Sequence, residues 1–263
     1  MAKVKTRLYV QGELSEQKPI YLEKQQCHFL KNVLRLEVGN AIAIFNGQDG
    51  EWFATISHLS KSNGEVLPVH LRQEQTPTPS IRLLFAPIKK DPLNFLIEKG
   101  TELGVGIFQP VLTRFTNVDR VRVERLQTNA IEAAEQCGRL EVPSVLPPIT
   151  LEQSLAENPG TDIILACLES GDAELAQNLS IPNDKNVSIL IGPEGGFSDG
   201  ELETLRNHAV VTALSLGPRI LRAETAALSA LAIFQSLYGD WDQRPKKTLW
   251  PDSFSLEAKR PST

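Results

Sequence analysis

Ser188-Ile189-Leu190-Ile191-Gly192-Pro193-Glu194-Gly195-Gly196-Phe197-Ser198 and Ala213-Leu214-Ser215-Leu216-Gly217-Pro218-Arg219-Ile220-Leu221-Arg222-Ala223-Glu224-Thr225 are the two stretches that decide how this chain is read. Each is an apolar run of strand type that breaks into glycine. Open α/β sheets bind ligands just beyond the carboxyl ends of their strands. Glycine at such an end lets the backbone approach a ligand closely. One such bend is an ordinary tight turn. Two of them after neighbouring strands predict a pocket.

Working outward, the flanking pattern alternates. Ile81-Arg82-Leu83-Leu84-Phe85-Ala86 reads as a short apolar strand. Asp91 followed by Pro92 predicts a helix start, with the carboxylate as cap and proline at the first helical position. Leu93, Leu96, Ile97 and Leu103 continue it at helical spacing. Strands are predicted at 107–112, 163–168, 187–191 and 211–216, and helices at 124–137, 199–208 and 223–238. Strands alternating with helices predict an α/β fold, a parallel sheet with helices on both faces.

Upstream the pattern differs. Gln73-Glu74-Gln75-Thr76-Pro77-Thr78-Pro79-Ser80 is polar and carries two prolines, so it reads as a linker. Before it, Ala41-Ile42-Ala43-Ile44-Phe45 ends at Asn46-Gly47, and Trp52-Phe53-Ala54-Thr55-Ile56 ends before Ser62-Asn63-Gly64. Val66-Leu67-Pro68-Val69-His70-Leu71 follows. Short strands with such turns predict a small all-β barrel or sandwich. One helix is expected from Cys27 to Leu36, with Phe29, Leu30, Val33 and Leu34 on one face. The divisions are therefore 1–74, 81–240 and a loosely ordered tail, 241–263.

Composition narrows the class. At roughly 150 residues per domain, 263 residues make one large or two small domains. A hydrophobic fraction of 41% with 22% charged residues excludes disordered and collagen-like chains. No apolar run is long enough to span a membrane, and Met1 to Val10 has basic residues without the apolar run of a signal peptide. Cys27, Cys137 and Cys167 are scattered and without a CxxC pair, which suits a reducing, cytoplasmic setting and argues against a metal cluster. Cys137 and Cys167 read as buried small apolar residues. Residues 1–80 hold 9 Lys/Arg against 8 Asp/Glu, and residues 81–263 hold 18 against 24. A nucleic-acid partner must then meet a local basic patch, since the chain as a whole is acidic.

GxGxxG and GxxxxGK[ST] are both absent, so the usual dinucleotide and P-loop signatures fail. Gly196-Phe197-Ser198-Asp199-Gly200 does match GxSxG, the nucleophile elbow of serine hydrolases. That reading needs a later histidine, and His208 is the only one, on the helix that Ser198 begins. Ser198 also lies several residues past the strand end. Ser198 with Glu201 makes a capping box, which is the simpler role.

At this point the chain resembles a known family. Glu98-Lys99-Gly100-Thr101-Glu102-Leu103-Gly104-Val105, Glu132-Ala133-Ala134-Glu135-Gln136-Cys137-Gly138-Arg139, Ile191 to Ser198 and Leu216 to Ala226 are similar to the signature blocks of the RsmE family. His28 with Val33-Leu34-Arg35 resembles that family's N-terminal block. The blocks run in order from about residue 7 to 240. Members methylate N3 of one uridine in 16S, small-subunit, ribosomal RNA. The resemblance implies an N-terminal PUA-like barrel that binds RNA and a C-terminal SPOUT methyltransferase domain with a trefoil knot. It also implies S-adenosylmethionine as cofactor, a homodimer, and ribosomal RNA or the assembled small subunit as partner. Two departures stand out: the segment between Arg114 and Glu132 is short, and Leu126 stands where the family often has tryptophan.

The same resemblance places the cofactor among Leu168, Leu216, Ile220 and Leu221, with the backbone of Gly192, Gly195, Gly196 and Gly217. Loss of the imide proton calls for a base or an anion stabiliser. Glu194 and Glu224 are the carboxylate candidates, Glu194 near the cofactor. Arg219 is expected near the substrate. Arg219 and Arg222 can stabilise an oxyanion or hold phosphate; Arg222 and Glu224 can equally pair locally at a helix start. Thr225 reads as a helix-start hydroxyl. Phosphate contacts are expected from Lys3, Lys5, Arg7, Lys89, Lys90, Arg114, Arg120, Arg122, Arg125 and Arg139, though each also suits a solvated surface. A non-catalytic RNA-binding module remains the alternative to an enzyme, with the hydrolase behind it.

Overall fold

A computed structural model describes residues 3–76, 81–117, 120–156, 162–168, 173–182 and 185–243. Most of the expected tail and part of the expected linker fall outside these residues. The chain divides into two compact units, Met1–Thr76 and Pro77–Gln243.

The first unit is built on β1 (Arg7–Tyr9), β2 (Ile20–Leu22), α1 (Lys24–His28), β3 (Ala41–Phe45), β4 (Glu51–Leu59) and β5 (Gly64–Gln73). They form one sheet in the order β1-β3-β4-β5-β2, antiparallel except for the β1–β3 pair. No β1–β2 pairing closes the ring among the described residues. Ile42, Ile44, Ala54, Ile56 and Val66 meet Cys27 and Leu30 in one core. The expected helix from Cys27 to Leu36 is corrected. It starts at Lys24 and passes into a π-turn at Phe29–Val33, where the Leu34 N–H bonds the Phe29 carbonyl five residues back at 3.0 Å. The wider turn rotates the apolar face: Leu30 is buried, but Val33 is 60% exposed.

This core also holds a buried charge. Glu51 accepts from Arg7 Nε at 2.5 Å and from Arg72 Nη1, and is 1% exposed. Arg7 also lies over the Phe45 ring, 4.5 Å from its centroid. A carboxylate withdrawn from water is tolerable only when paired in this way.

The second unit runs β6 (Ile81–Phe85), α2 (Lys90–Glu102), β7 (Val105–Leu112), α3 (Val123–Cys137), β8 (Ser144–Val145), β9 (Ile149–Thr150), α4 (Leu151–Ala156), β10 (Ile163–Cys167), β11 (Glu174–Leu175), β12 (Val187–Ile191), α5 (Asp199–Asn207), β13 (Val211–Ser215) and α6 (Ala223–Tyr238). The sheet order is β11-β13-β10-β12-β6-β7-β8, with every pair parallel. Successive side chains point to opposite faces. Leu83, Phe85, Ile189 and Ile191 pack under α2, α3 and α6, while Leu84, Leu190, Ile164 and Ala166 pack against α4 and α5. Helices cover both faces of the sheet, as the alternation of strands and helices predicts. Several boundaries move by one or two residues: β7 begins at Val105 and not Ile107, β10 and β13 end one residue early, and α2 begins at Lys90, so Asp91 is inside the first turn and Pro92 is its third residue. The first four N–H groups of a helix need no partner within it, so proline there costs nothing. Asp91 still faces the positive end of the helix dipole.

A buried amide ties two helix ends together. Gln235, 3% exposed, donates from Nε2 to the Leu103 carbonyl at 2.8 Å and accepts from the Asp240 N–H at 3.1 Å. Gly104, in the left-handed region at φ +90°, leaves the room: a Cβ there would stand 2.2 Å from Gln235 Nε2. Gln235→Leu strands both groups and is expected to cost about 1–3 kcal/mol, measured as a lower unfolding midpoint. Glu51→Gln removes the anion shared by two guanidinium groups and is expected to cost about 3 kcal/mol, measured by urea unfolding.

Candidate functional site

Because all these strands are parallel, their carboxyl ends share one edge of the sheet. That edge carries Ala86–Lys89 after β6, Thr113–Thr116 after β7, Leu168 after β10, Gly192–Phe197 after β12 and Leu216–Leu221 after β13. The sheet order puts β10 between β12 and β13, so the two glycine bends flank Leu168.

A cleft opens there in two lobes. The first, about 670 Å³, is lined by Leu175, Leu214, Leu216, Gly217, Pro218, Arg219 and Ala173. The second, about 810 Å³, is lined by Lys89, Pro92, Ile191 to Phe197, Leu202 and Arg222. Cys167, Leu168, Ile220, Leu221 and Ala226 line both, which makes the lobes adjoining parts of one cleft. Either lobe is of the size of a small-molecule site.

The local chemistry of each bend follows from its residues. The Gly196 N–H bonds the Pro193 carbonyl at 2.9 Å, and Gly196 sits at φ +72°. Gly217 sits at φ +95°. A Cβ built at either would meet nothing within 4 Å, so the space beside both backbones is open to a ligand. Gly192 differs: a Cβ there would stand 2.7 Å from the Phe197 ring, so that ring rests on bare backbone. At the far end of the first bend, Glu201 Oε2 accepts from both the Ser198 N–H and the Ser198 hydroxyl at 2.8 Å. The expected capping box is present. His208 follows the last turn of α5, roughly 15 Å along the axis at 1.5 Å per residue. A Ser198–His208 hydrolase dyad is thereby excluded.

Leu168, Gly192, Gly195, Gly196, Leu216, Gly217, Ile220 and Leu221 all line the cleft. Arg219 lines the first lobe; Glu194 and Arg222 line the second. Glu224, half-buried in the first turn of α6, is outside the lining of either. Lys89, read from sequence as a phosphate contact, is part of the second lobe, while Lys90 begins α2 and is exposed. The sequence reading overlooked Phe197, Pro92, Ala173 and Leu175. Phe197 was legible in principle, as a bulky neighbour to three glycines.

Three expectations need correction. Arg7 faces Glu51 and Phe45, so its side chain is held inside the first unit. Arg139 Nη1 donates to the Thr101 and Val105 carbonyls at 2.8 and 2.7 Å, joining the end of α2 to the start of β7. Both were expected to meet RNA phosphate; backbone and carboxylate acceptors claim them first. Cys137 is exposed at the end of α3, where the helix face turns to solvent. Cys167 lies in the cleft wall, and burial pushes its thiol up to about 12. The same desolvation favours the neutral thiol.

Charge in the cleft runs against the whole. Lys89, Arg219 and Arg222 face one carboxylate, Glu194, whereas the chain carries a net −5. Such a site favours an anionic partner locally.

Known proteins agree with this geometry. A family model described as an RNA methyltransferase domain matches residues 74–235, and one described as an RNA methyltransferase PUA domain matches residues 22–69. Ribosomal RNA small subunit methyltransferase E of Rickettsia conorii is 36% identical over 86% of this chain and 93% of its own. The Bacillus subtilis protein of the same name is 32% identical over 84% and 91%. A crystal structure of ribosomal RNA small subunit methyltransferase E from Neisseria gonorrhoeae, bound to S-adenosyl methionine, superposes with a TM-score of 0.81 at 30% identity, covering 90% of this chain and 99% of that one. Two matched domains in the right order, relatives aligned over nearly their full length and a shared backbone lead to one conclusion: this chain belongs to the RsmE family of small-subunit ribosomal RNA methyltransferases.

Proposed function

We propose that this protein transfers the methyl group of S-adenosylmethionine to N3 of a uridine in small-subunit ribosomal RNA. The observation that carries the reading is the meeting of two glycine bends in one cleft with apolar walls and a cationic rim. The open space beside Gly196 and Gly217 fits a ligand read by backbone groups, and Leu168, Leu216 and Leu221 fit the faces of a purine. When bound there, S-adenosylmethionine supplies a methyl group on a positively charged sulfur, which leaves as a neutral thioether.

The chain's own residues do the rest. The cleft would bring donor and acceptor together, and alignment alone would lower the barrier substantially. The N3 proton must leave before or as the N–C bond forms. Glu194 takes it in this reading, supported by its position in the lining of the second lobe, and Lys89 and Arg222 of the same lobe offset the charge that spreads onto the uracil oxygens. Arg219, in the first lobe, suits a phosphate or carboxylate of a bound partner. Glu224, outside the lining, is assigned a place at the helix start. A non-catalytic RNA module has no need of such a cleft, and the hydrolase lacks its histidine.

The finer assignments extend this reading. Residues 1–74 serve as the RNA-binding PUA-like unit and 81–240 as the methyltransferase, with 241–263 a tail. The two bends and α6 form the trefoil knot. The protein works as a homodimer in the cytoplasm, where its RNA lies; apolar Leu237 and Trp241, 51% and 53% exposed near the end of α6, support a partner subunit. No helix among the described residues is long and apolar enough to cross a membrane.

Titration calorimetry is expected to show specific S-adenosylmethionine binding; absence of heat overturns the proposal. Gly192→Ala drives a methyl into the Phe197 ring and is expected to weaken that binding about tenfold or more. Glu194→Gln is expected to lower kcat for RNA methylation about a hundredfold while sparing cofactor affinity.

A further inference from the structure

The loop after β7 presents an exposed aromatic ring next to Gly195, a residue of the cleft wall. Phe115 is 45% exposed. A lone exposed ring is ordinary; its anchorage is what distinguishes this one. The Thr113 N–H bonds Thr116 Oγ1 at 3.0 Å, the two hydroxyls meet at 2.9 Å, and the Thr116 N–H returns to the Thr113 carbonyl at 3.1 Å. Between them, the Arg114 N–H donates to Glu201 Oε1 at 2.8 Å. The other oxygen of that carboxylate holds Ser198. One side chain therefore fixes both the end of the first glycine bend and the turn that carries the ring.

The ring also starts against that bend. A Cβ built on Gly195 would lie 3.4 Å from Phe115 Cβ and 3.9 Å from its Cγ. Gly195 lines the lobe that holds Lys89, Glu194 and Arg222. Arg114, the next residue, is exposed. Phe115 is outside the lining of either lobe, but an exposed apolar ring on a pinned turn, bordering a wall residue of a cleft with a cationic rim, suits a nucleobase attached to phosphate. An aromatic face stacks on any base and reads no hydrogen-bonding edge. A base splayed out of folded RNA loses its stacking neighbours and regains one here.

We propose that Phe115 is the face on which the acceptor uracil stacks on entering the cleft, with Arg114 on the adjoining phosphate. The assignment rests on the uridine methylation proposed above. Because the turn is already pinned, little ordering accompanies binding.

The test compares the full chain with Phe115→Ala and Phe115→Trp. Labelled methyl incorporation is measured on transcribed small-subunit ribosomal RNA and on small subunits lacking the modification. For Phe115→Ala, kcat/KM for RNA is expected to fall about tenfold to a hundredfold. Phe115→Trp is expected to stay within about threefold of the parent. S-adenosylmethionine affinity by calorimetry, the unfolding midpoint and the mass by light scattering are expected to be unchanged in both. Equal incorporation by the parent and Phe115→Ala overturns the stacking role alone. So does a change in oligomeric mass, which would assign the ring to a second copy of the chain. No incorporation by the parent overturns the methylation reading, and the stacking role with it.

Discussion

The second unit is organised by the burial of β12 on both faces. All five residues from Val187 to Ile191 are buried. Ile189 and Ile191 look toward one layer of helices and Leu190 toward the other. A strand covered on both sides suits parallel partners, because the crossover helices supply the cover. Parallel strands in turn end along one edge. Chain segments that are far apart in sequence thus reach the same cleft, among them Lys89, Leu168, Glu194 and Arg219.

The bends at this edge combine open backbone with filled backbone. Gly196 and Gly217 stand beside vacant space, whereas Gly192 makes room for Phe197. A bend made only of open glycine would cost much conformational entropy to order. Phe197 above Gly192 and Glu201 at Ser198 stiffen it from both ends. The pocket is consequently shaped before any ligand arrives, and binding need not do the ordering.

Basic residues in this protein divide by what lies within reach. Arg7, Arg72 and Arg139 find carboxylate or carbonyl acceptors inside their own unit. Lys89, Arg219 and Arg222 stand in the cleft instead. A tally of lysine and arginine along the chain cannot separate the two groups, since the acceptors are supplied by other elements. Glu51 shows the same: its partners lie 44 and 21 residues away.

Much was legible from sequence because it is local. Apolar periodicity set most strands and helices, the Ser198–Glu201 box marked a helix start, and the glycine bends announced a cleft. Short strands such as β8 and β11 escaped, being two residues each and formed only because a neighbour offers an edge. The π-turn at Phe29–Val33 escaped too, since one extra residue per turn leaves no mark on composition. The placing of Phe115 beside Gly195, the inward turn of Arg139 and the exclusion of Glu224 from the cleft belong to tertiary structure alone. Periodicity and capping depend on neighbours within a few residues of the chain. Which side chain faces a cleft depends on the order of strands in a sheet, and that order is settled by packing across the whole unit.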